Sequence, residues 1–503
     1  MATRSIIRQG MLAALAFFFG VLPAASQTLR IGLQEDPDAL DPHRARTFVG
    51  RIVFSALCDK LMDVDEKLQI VPELATSWSW SADDKVLTLK LRSGVKFHDG
   101  ETMDATAVKA SLDRARTLPD SLRKSELASV AHVDVVDPST VTITVNKPDA
   151  TLLYQLTDRA GMILAPKAMT GDFSKNPVCA GPYKFVERVQ NDRIVLEKFK
   201  DYWNPDDYFF QRIVYQPIPD ATVRLANLRA GSIDILERLA PSDVASVKSD
   251  PKLNFDPVVG LGFQAIALNI ANGPRSKTSP FHDKRVRQAF NIAIDRDAIN
   301  KVVGQGFFAP ANQALPLASP FFDKSAVMPK RDVAKAKALL KEAGFDHVKF
   351  ELTFANNTVL QQVSELIQAM AAEAGFDIQL RATDYATALH QAQGGNFEAN
   401  MNAWSGRPDP DGNLIIFVSC KGSQNDGHYC NPEVDKLLLQ ARTVTDQTKR
   451  KAVYDAADKI MQDDVPRIYL YYQPWLFATT KKVVGFKPSA DGLIRVKGLK
   501  FAN

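Results

Sequence analysis

The chain is poor in the residues that most often carry chemistry. Its four cysteines, Cys58, Cys179, Cys420 and Cys430, form no C-x-x-C, and its seven histidines are scattered with no metal-ligand spacing. There is no H-E-x-x-H, no P-loop, no G-x-G-x-x-G and no G-x-S-x-G nucleophile elbow. Nothing in these patterns recommends catalysis, a cofactor or a resident metal. Charge of one sign is not in excess either: 62 Lys and Arg against 58 Asp and Glu leave +4, too even for a strongly basic nucleic-acid binder. Past residue 26 no apolar run approaches the ~18 residues of a membrane span, and no internal repeat or low-complexity tract is visible.

What is present is ordinary globular composition, 45% hydrophobic and 24% charged, over a length of 503 residues. At ~100–200 residues per domain that predicts two to four folded units. Residues 1–26 read as a secretory signal. Arg4 and Arg8 precede the apolar run Met11–Leu22, and Pro23-Ala-Ala-Ser26 supplies small residues before Gln27. Cleavage near Ser26/Gln27 leaves a mature chain of 477 residues with net charge +2, placed in the periplasm. An oxidising compartment permits disulfides. Cys420 and Cys430 flank a polar loop and are expected to pair; Cys58 and Cys179 form the second pair, unless Cys58 is a plain core thiol on a helix.

Thr28–Leu33 alternates as a strand, and Arg46–Met62 places Val49, Ile52, Val53, Ala56, Leu57 and Leu61 on one helical stripe. Segment 66–150 has the strands Val86–Arg92, Val133–Val136 and Thr140–Val145 around a helix Ala105–Arg116 capped by Asp104, a compact α+β insertion. Gly181–Val189 and Arg193–Phe199 read as a hairpin. From Phe263 onward strand and long helix alternate; His347–Phe354, Thr358–Ala374 and Phe376–Arg381 make a βαβ unit, with Gly375 ending the helix. The pattern predicts an α/β protein of two lobes. The first is built from 27–65, 179–261 and 473–503, with 66–178 as its extra α+β subdomain, and the second from 262–472. Chain crossings near 261 and 473 would act as a hinge, with a ligand in the cleft.

Seven segments follow one another along the chain: Val71-Pro-Glu-Leu-Ala-Thr-Ser-Trp78, Leu91-Arg-Ser-Gly-Val-Lys-Phe-His-Asp-Gly100, Ala105–Arg114, Gly181-Pro-Tyr-Lys-Phe185, Asp201-Tyr-Trp203, Pro280–Arg296 and Lys335–Gly344. Together, in this order, they resemble the peptide/nickel ABC-importer family of extracytoplasmic solute-binding proteins, family 5. The resemblance implies a periplasmic-binding-protein fold of type II, in the large cluster with the extra subdomain. It also implies a monomer that captures a peptide or peptide-like small polar solute and delivers it to ABC permease subunits of the inner membrane, with no nucleic-acid partner. A secreted hydrolase acting on peptides or glycosides is the competing expectation. His98 and the arginines of Arg285-Val-Arg287 read as structural.

The expected solute-contacting stretch is Asn402-Ala-Trp404-Ser-Gly-Arg407-Pro-Asp409-Pro-Asp411-Gly-Asn413, where a strand runs out into a loop. Peptide-binding relatives carry, three positions after the aromatic residue, an aspartate that pairs with the peptide ammonium. Here that position is Arg407, which suits an anionic group instead; a two-residue shift of alignment would put Asp409 in the role. Trp404 packs on the solute or on the strand beneath. Asn356 and Asn357 offer amides at a helix start or simply cap it, and Gln34, Glu35 and Asp36 end the first strand toward the cleft. Asp409-Pro-Asp411-Gly-Asn413 reads as a turn rather than a calcium loop.

Overall fold

The computed structural model describes residues 27–502; the expected leader, 1–26, lies outside them. Two mixed sheets form the two lobes. In the first the strand order is Leu253–Val258, Trp475–Thr480, Ile235–Leu236, Thr28–Leu33, Arg212–Pro217, Arg193–Lys198 and Tyr183–Val189. Thr28–Leu33 runs parallel to Arg212–Pro217 and Ile235–Leu236, and the hairpin 183–198 is antiparallel. In the second sheet the order is Ala309–Pro310, Arg467–Tyr472, Phe263–Leu268, Ala399–Trp404, Val348–Ala355 and Phe376–Thr383. All six residues of Phe263–Leu268 are buried. That follows from a near-continuous apolar run flanked by strands on both sides and covered on both faces.

A third sheet of four antiparallel strands, Ala75–Trp80, Val86–Leu91, Thr140–Val145 and Val130–Asp137, carries its own core beneath the helix Ala105–Thr117. The Asp104 carboxylate caps that helix through the amides of Thr106 and Ala107. Two disulfides tie the chain, Cys58–Cys179 (S–S 1.95 Å) and Cys420–Cys430 (2.05 Å).

The expected helix Arg46–Met62 is shorter, Phe48–Leu57. Asp38 accepts from the amides of Arg46 and Thr47 and so fixes the approach to the helix as a loop. At the other end Met62 opens a strand, Met62–Val64. The apolar stripe continues through both elements, since Leu61 and Met62 are buried in the core of the four-stranded sheet. The βαβ unit spans Val348–Ala355, Thr358–Ala372 and Phe376–Thr383, with the outer strands parallel and Gly375 at φ +93°.

The chain passes between the lobes at 259–262 and at 473–474. These crossings lie side by side, for the Gln473 amide donates to the Gly262 carbonyl at 3.1 Å. Any side chain at Gly262 would overlap the Trp404 carbonyl, 1.8 Å from its Cβ position. The hinge therefore touches the strand end that carries the candidate solute loop.

Candidate functional site

Gln34, just past Thr28–Leu33, and Trp404, at the end of Ala399–Trp404, both border the seam between the lobes, at the carboxyl ends of strands where α/β sheets place ligands. The lobes are closed. Two small cavities, about 20 and 50 Å³, remain along the seam. The first is lined by Arg46, Phe48 and Arg238 from one lobe and by Tyr385, Asn402 and Trp404 from the other. Arg238 and Gln34 also line the second, with Gln264 and Tyr471 opposite. Larger grooves of about 740 and 640 Å³ open elsewhere. The 740 Å³ groove belongs to the second lobe alone, and the 640 Å³ one lies between the subdomain, at Ala128, Asn146 and Asp149, and the second lobe, at Lys436, Leu439 and Arg442. The seam, where both lobes contribute buried charge, is the stronger candidate.

Charged side chains close the seam directly. Arg46 grips Asp426 with two bonds, 3.1 and 2.8 Å, and both side chains are almost wholly buried. Arg51, on the helix Phe48–Leu57, bonds Asp158 at 3.1 Å and the Ser405 hydroxyl of the opposite lobe at 2.9 Å. Arg407 reaches back across the seam to Asp158 at 2.5 Å. Gln155 donates to Asp411 at 3.1 Å, and the Arg442 guanidinium to the Ser125 carbonyl at 3.0 Å.

The geometry of the loop explains why Arg407 points there. Gly406 sits at φ +83°, and a Cβ on it would lie 2.3 Å from Leu261, so the turn requires glycine. Asn413 accepts from both the Arg407 amide and Trp404 Nε1, each at 2.8 Å, and locks the loop onto the strand end. Trp404 is buried against Phe417, and the Arg407 guanidinium lies 4.2 Å from its ring. Burial, followed by the neighbouring Arg51 charge, pushes Arg407 down to about 9. Asp158 is driven well below the usual carboxylate range: burial opposes this, but Arg407 and Arg51 outweigh it.

The other sequence candidates divide. Asp409 is held within its own lobe by Arg450, with bonds of 2.7 and 2.8 Å, so it is already engaged by a cation. Asp411 is likewise paired with Arg442, and it begins the helix Asp411–Val418, not a calcium loop. Gln34 accepts from Arg238 at 2.9 Å beside the second cavity. Glu35 is buried, its Oε1 has no hydrogen-bond partner among the described residues, and burial raises its carboxyl to about 8. Asp36 pairs with Arg188 at 2.7 Å. Asn357 caps the helix Thr358–Ala372 through the Leu360 amide, while Asn356 is exposed. His98 bridges the Gly181 carbonyl and the Cys179 amide, and Arg287 binds four backbone carbonyls within its lobe; both are structural.

Arg46, Arg51, Asp158, Arg159 and Asp426 were not singled out by sequence reasoning. The available signal was a charge inside an apolar stretch: Arg51 within Phe48–Leu57, and Asp158-Arg159 before Ala160-Gly-Met-Ile-Leu164.

Residues 69–425 match the model for bacterial extracellular solute-binding proteins, family 5 Middle. The glutathione-binding protein GsiB of Pectobacterium atrosepticum is 31% identical over 473 residues, covering 90% of each chain. Among solved structures, the periplasmic binding protein DppA of Helicobacter pylori in complex with the peptide STSA superposes with a TM-score of 0.89 at 25% identity, covering 95% of this chain and 98% of that one. AgaA of A. tumefaciens R10 in complex with agropinic acid gives 0.86 at 26%, covering 95% and 99%. Among the described residues no helix is long and apolar enough to cross a membrane.

Proposed function

Because the chain belongs to the bacterial extracellular solute-binding proteins of family 5, we propose that it captures a peptide or peptide-like small polar solute between its lobes and hands it, unchanged, to the permease of an ABC importer. The observation that carries this reading is the seam itself. Two lobes joined by two adjacent crossings meet through buried charged side chains contributed from both sides. Opening about the 259–262 and 473–474 crossings exposes these groups to water. Closure over a solute dries them, and each charge-assisted bond then gains strength in the lower dielectric. The closed outer shape is what the permease would read. A binding role without turnover accords with the absence of the common catalytic motifs and with the binding proteins it resembles. The leader 1–26 would export it to the periplasm, where it works as a monomer; we assign 27–65, 179–261 and 473–503 to the first lobe, 66–178 to its subdomain and 262–472 to the second.

Calorimetry of the mature chain against glutathione, Met-Leu and agropinic acid, with mass spectrometry of the recovered compound, tests this. Saturable binding of at least one and its recovery intact are expected. Chemical conversion of the compound, or no binding by any of these or by a dipeptide library, would refute it.

A further inference from the structure

The loop closed by the Cys420–Cys430 bridge is bonded across the seam at two of its residues. The Ser423 hydroxyl meets that of Ser125 at 3.0 Å, and Asp426 grips Arg46. Between these two in the chain lies Gln424, whose side-chain amide donates to nothing. Its backbone is held firmly. The Gln424 main-chain N–H donates to the Ile416 carbonyl at 2.9 Å, and the Asn425 side chain donates to the Ser419 and Tyr429 carbonyls at 2.8 and 2.6 Å. The Gln424 side chain lines the seam cavity of about 20 Å³, in a residue only 4% exposed, and its Nε2 has no acceptor among the described residues.

A buried donor without an acceptor is costly, and folded proteins keep few of them. Around this cavity the charges are already matched, Arg46 by Asp426 and Arg238 by Glu237. Trp404 and Ser405 are likewise engaged, by Asn413 and Arg51. What Gln424 lacks is therefore a neutral acceptor. An anion would bring an unmatched charge into a seam that closure dries, at a penalty. A carbonyl oxygen brings none, and an amide carbonyl is the form a peptide-like solute carries. The bridge and the two flanking seam contacts fix the donor in advance, so little further ordering accompanies its use.

We infer that Gln424 is a specificity-determining residue, donating from Nε2 to an uncharged carbonyl oxygen of the solute held at the seam. The inference rests on the capture function proposed above and narrows its substrate class to solutes that present such a carbonyl beside the 420–430 loop.

Calorimetry on the mature chain compares wild type with Gln424→Met, which keeps the length of the side chain and removes its donor. For whichever of glutathione and Met-Leu binds, the variant should bind about five- to tenfold more weakly, the loss of one neutral hydrogen bond. Exchange of the peptide carbonyl oxygen for sulfur, a poorer acceptor, should weaken binding to wild type and not to the variant, a difference that a merely structural glutamine would not produce. Without solute, Gln424→Met should unfold no earlier than wild type, since an unpaired buried donor is gone; a midpoint lowered by several degrees marks a structural glutamine and overturns the inference. Should that variant fail to fold, Gln424→Glu takes its place in the binding comparisons. Equal affinity of wild type and variant, or an equal loss in both on exchange of oxygen for sulfur, overturns the inference while leaving solute capture standing. If neither compound binds, N-methylacetamide decides: a rise of the unfolding midpoint that wild type shows and the variant lacks supports the inference and overturns the peptide-like reading alone, and the same response in both overturns the inference.

Discussion

The Arg46–Asp426 pair offers the sharpest test of closure. Its partners come from different lobes, its side chains are 4% and 2% exposed, and two bonds of 3.1 and 2.8 Å join them. Replacing Asp426 by Asn leaves Arg46 buried against a neutral group, and breaking a buried pair from one side costs about 3–5 kcal/mol. The protein has an escape that a core ion pair lacks: opening returns Arg46 to water. The penalty therefore falls on the closed form alone. At about 1.4 kcal/mol per tenfold, even the lower limit shifts the open–closed equilibrium about a hundredfold. X-ray scattering should show a larger radius of gyration for Asp426→Asn, and solute affinity should weaken by up to the same factor. The unfolding midpoint of the lobes should move little. An Arg46→Met/Asp426→Leu double variant, which exchanges the pair for apolar contact, should recover closure. Unchanged scattering and affinity with a midpoint lowered by several degrees would refute the reasoning, because the pair would then be holding a rigid body together.

The Glu35 carboxyl, raised to about 8 by burial, with Glu237, Asp38 and Asp384 adding to the rise and Arg238 opposing it, keeps its proton when folded. Its contribution is fully present below the unfolded value near 4.5 and is lost as pH rises toward 8. Glu35→Gln should therefore flatten the fall of the unfolding midpoint between pH 5 and 8 and raise it at pH 8; a wild-type profile matched by the variant sinks this. The two disulfides should differ in weight. The Cys58–Cys179 bridge closes 121 residues and the Cys420–Cys430 bridge ten, worth about 5 and about 3 kcal/mol by loop closure. Paired alanine variants compared in urea should rank in that order, and the reverse order would discard the loop-entropy account.

Local pattern and long-range pairing were unequally legible. The unit 348–383 could be read because helical periodicity from Thr358, an Asn357 cap and Gly375 all agree within a few residues. The Phe48–Leu57 helix was over-extended because apolar Leu61 and Met62 continue its stripe while serving another core. Periodicity reports that a side chain is buried, not in which element. The same limit governs the site. Arg407 drew attention as a cation where relatives carry an acid, but Asp158, its partner, lies far upstream and shares no motif with it. Arg51 and Arg46 resembled ordinary arginines of an amphipathic helix start, whose stems lie on apolar surface with the charge in water.

The sign of the site follows from matching rather than from counting. The loop 402–413 carries two aspartates and one arginine, which read alone suggests an acidic, ammonium-binding surface. In the fold both aspartates are neutralised inside the second lobe, Asp409 by Arg450 and Asp411 by Arg442. Arg407 is the loop's one charge paired across the seam, with Asp158, an acid it shares with Arg51. A loop with more acid than base thus presents a cationic face. Both acids of the loop are thus engaged by guanidinium groups of their own lobe, which is why we propose Arg407 rather than Asp409 as the loop's solute-facing charge.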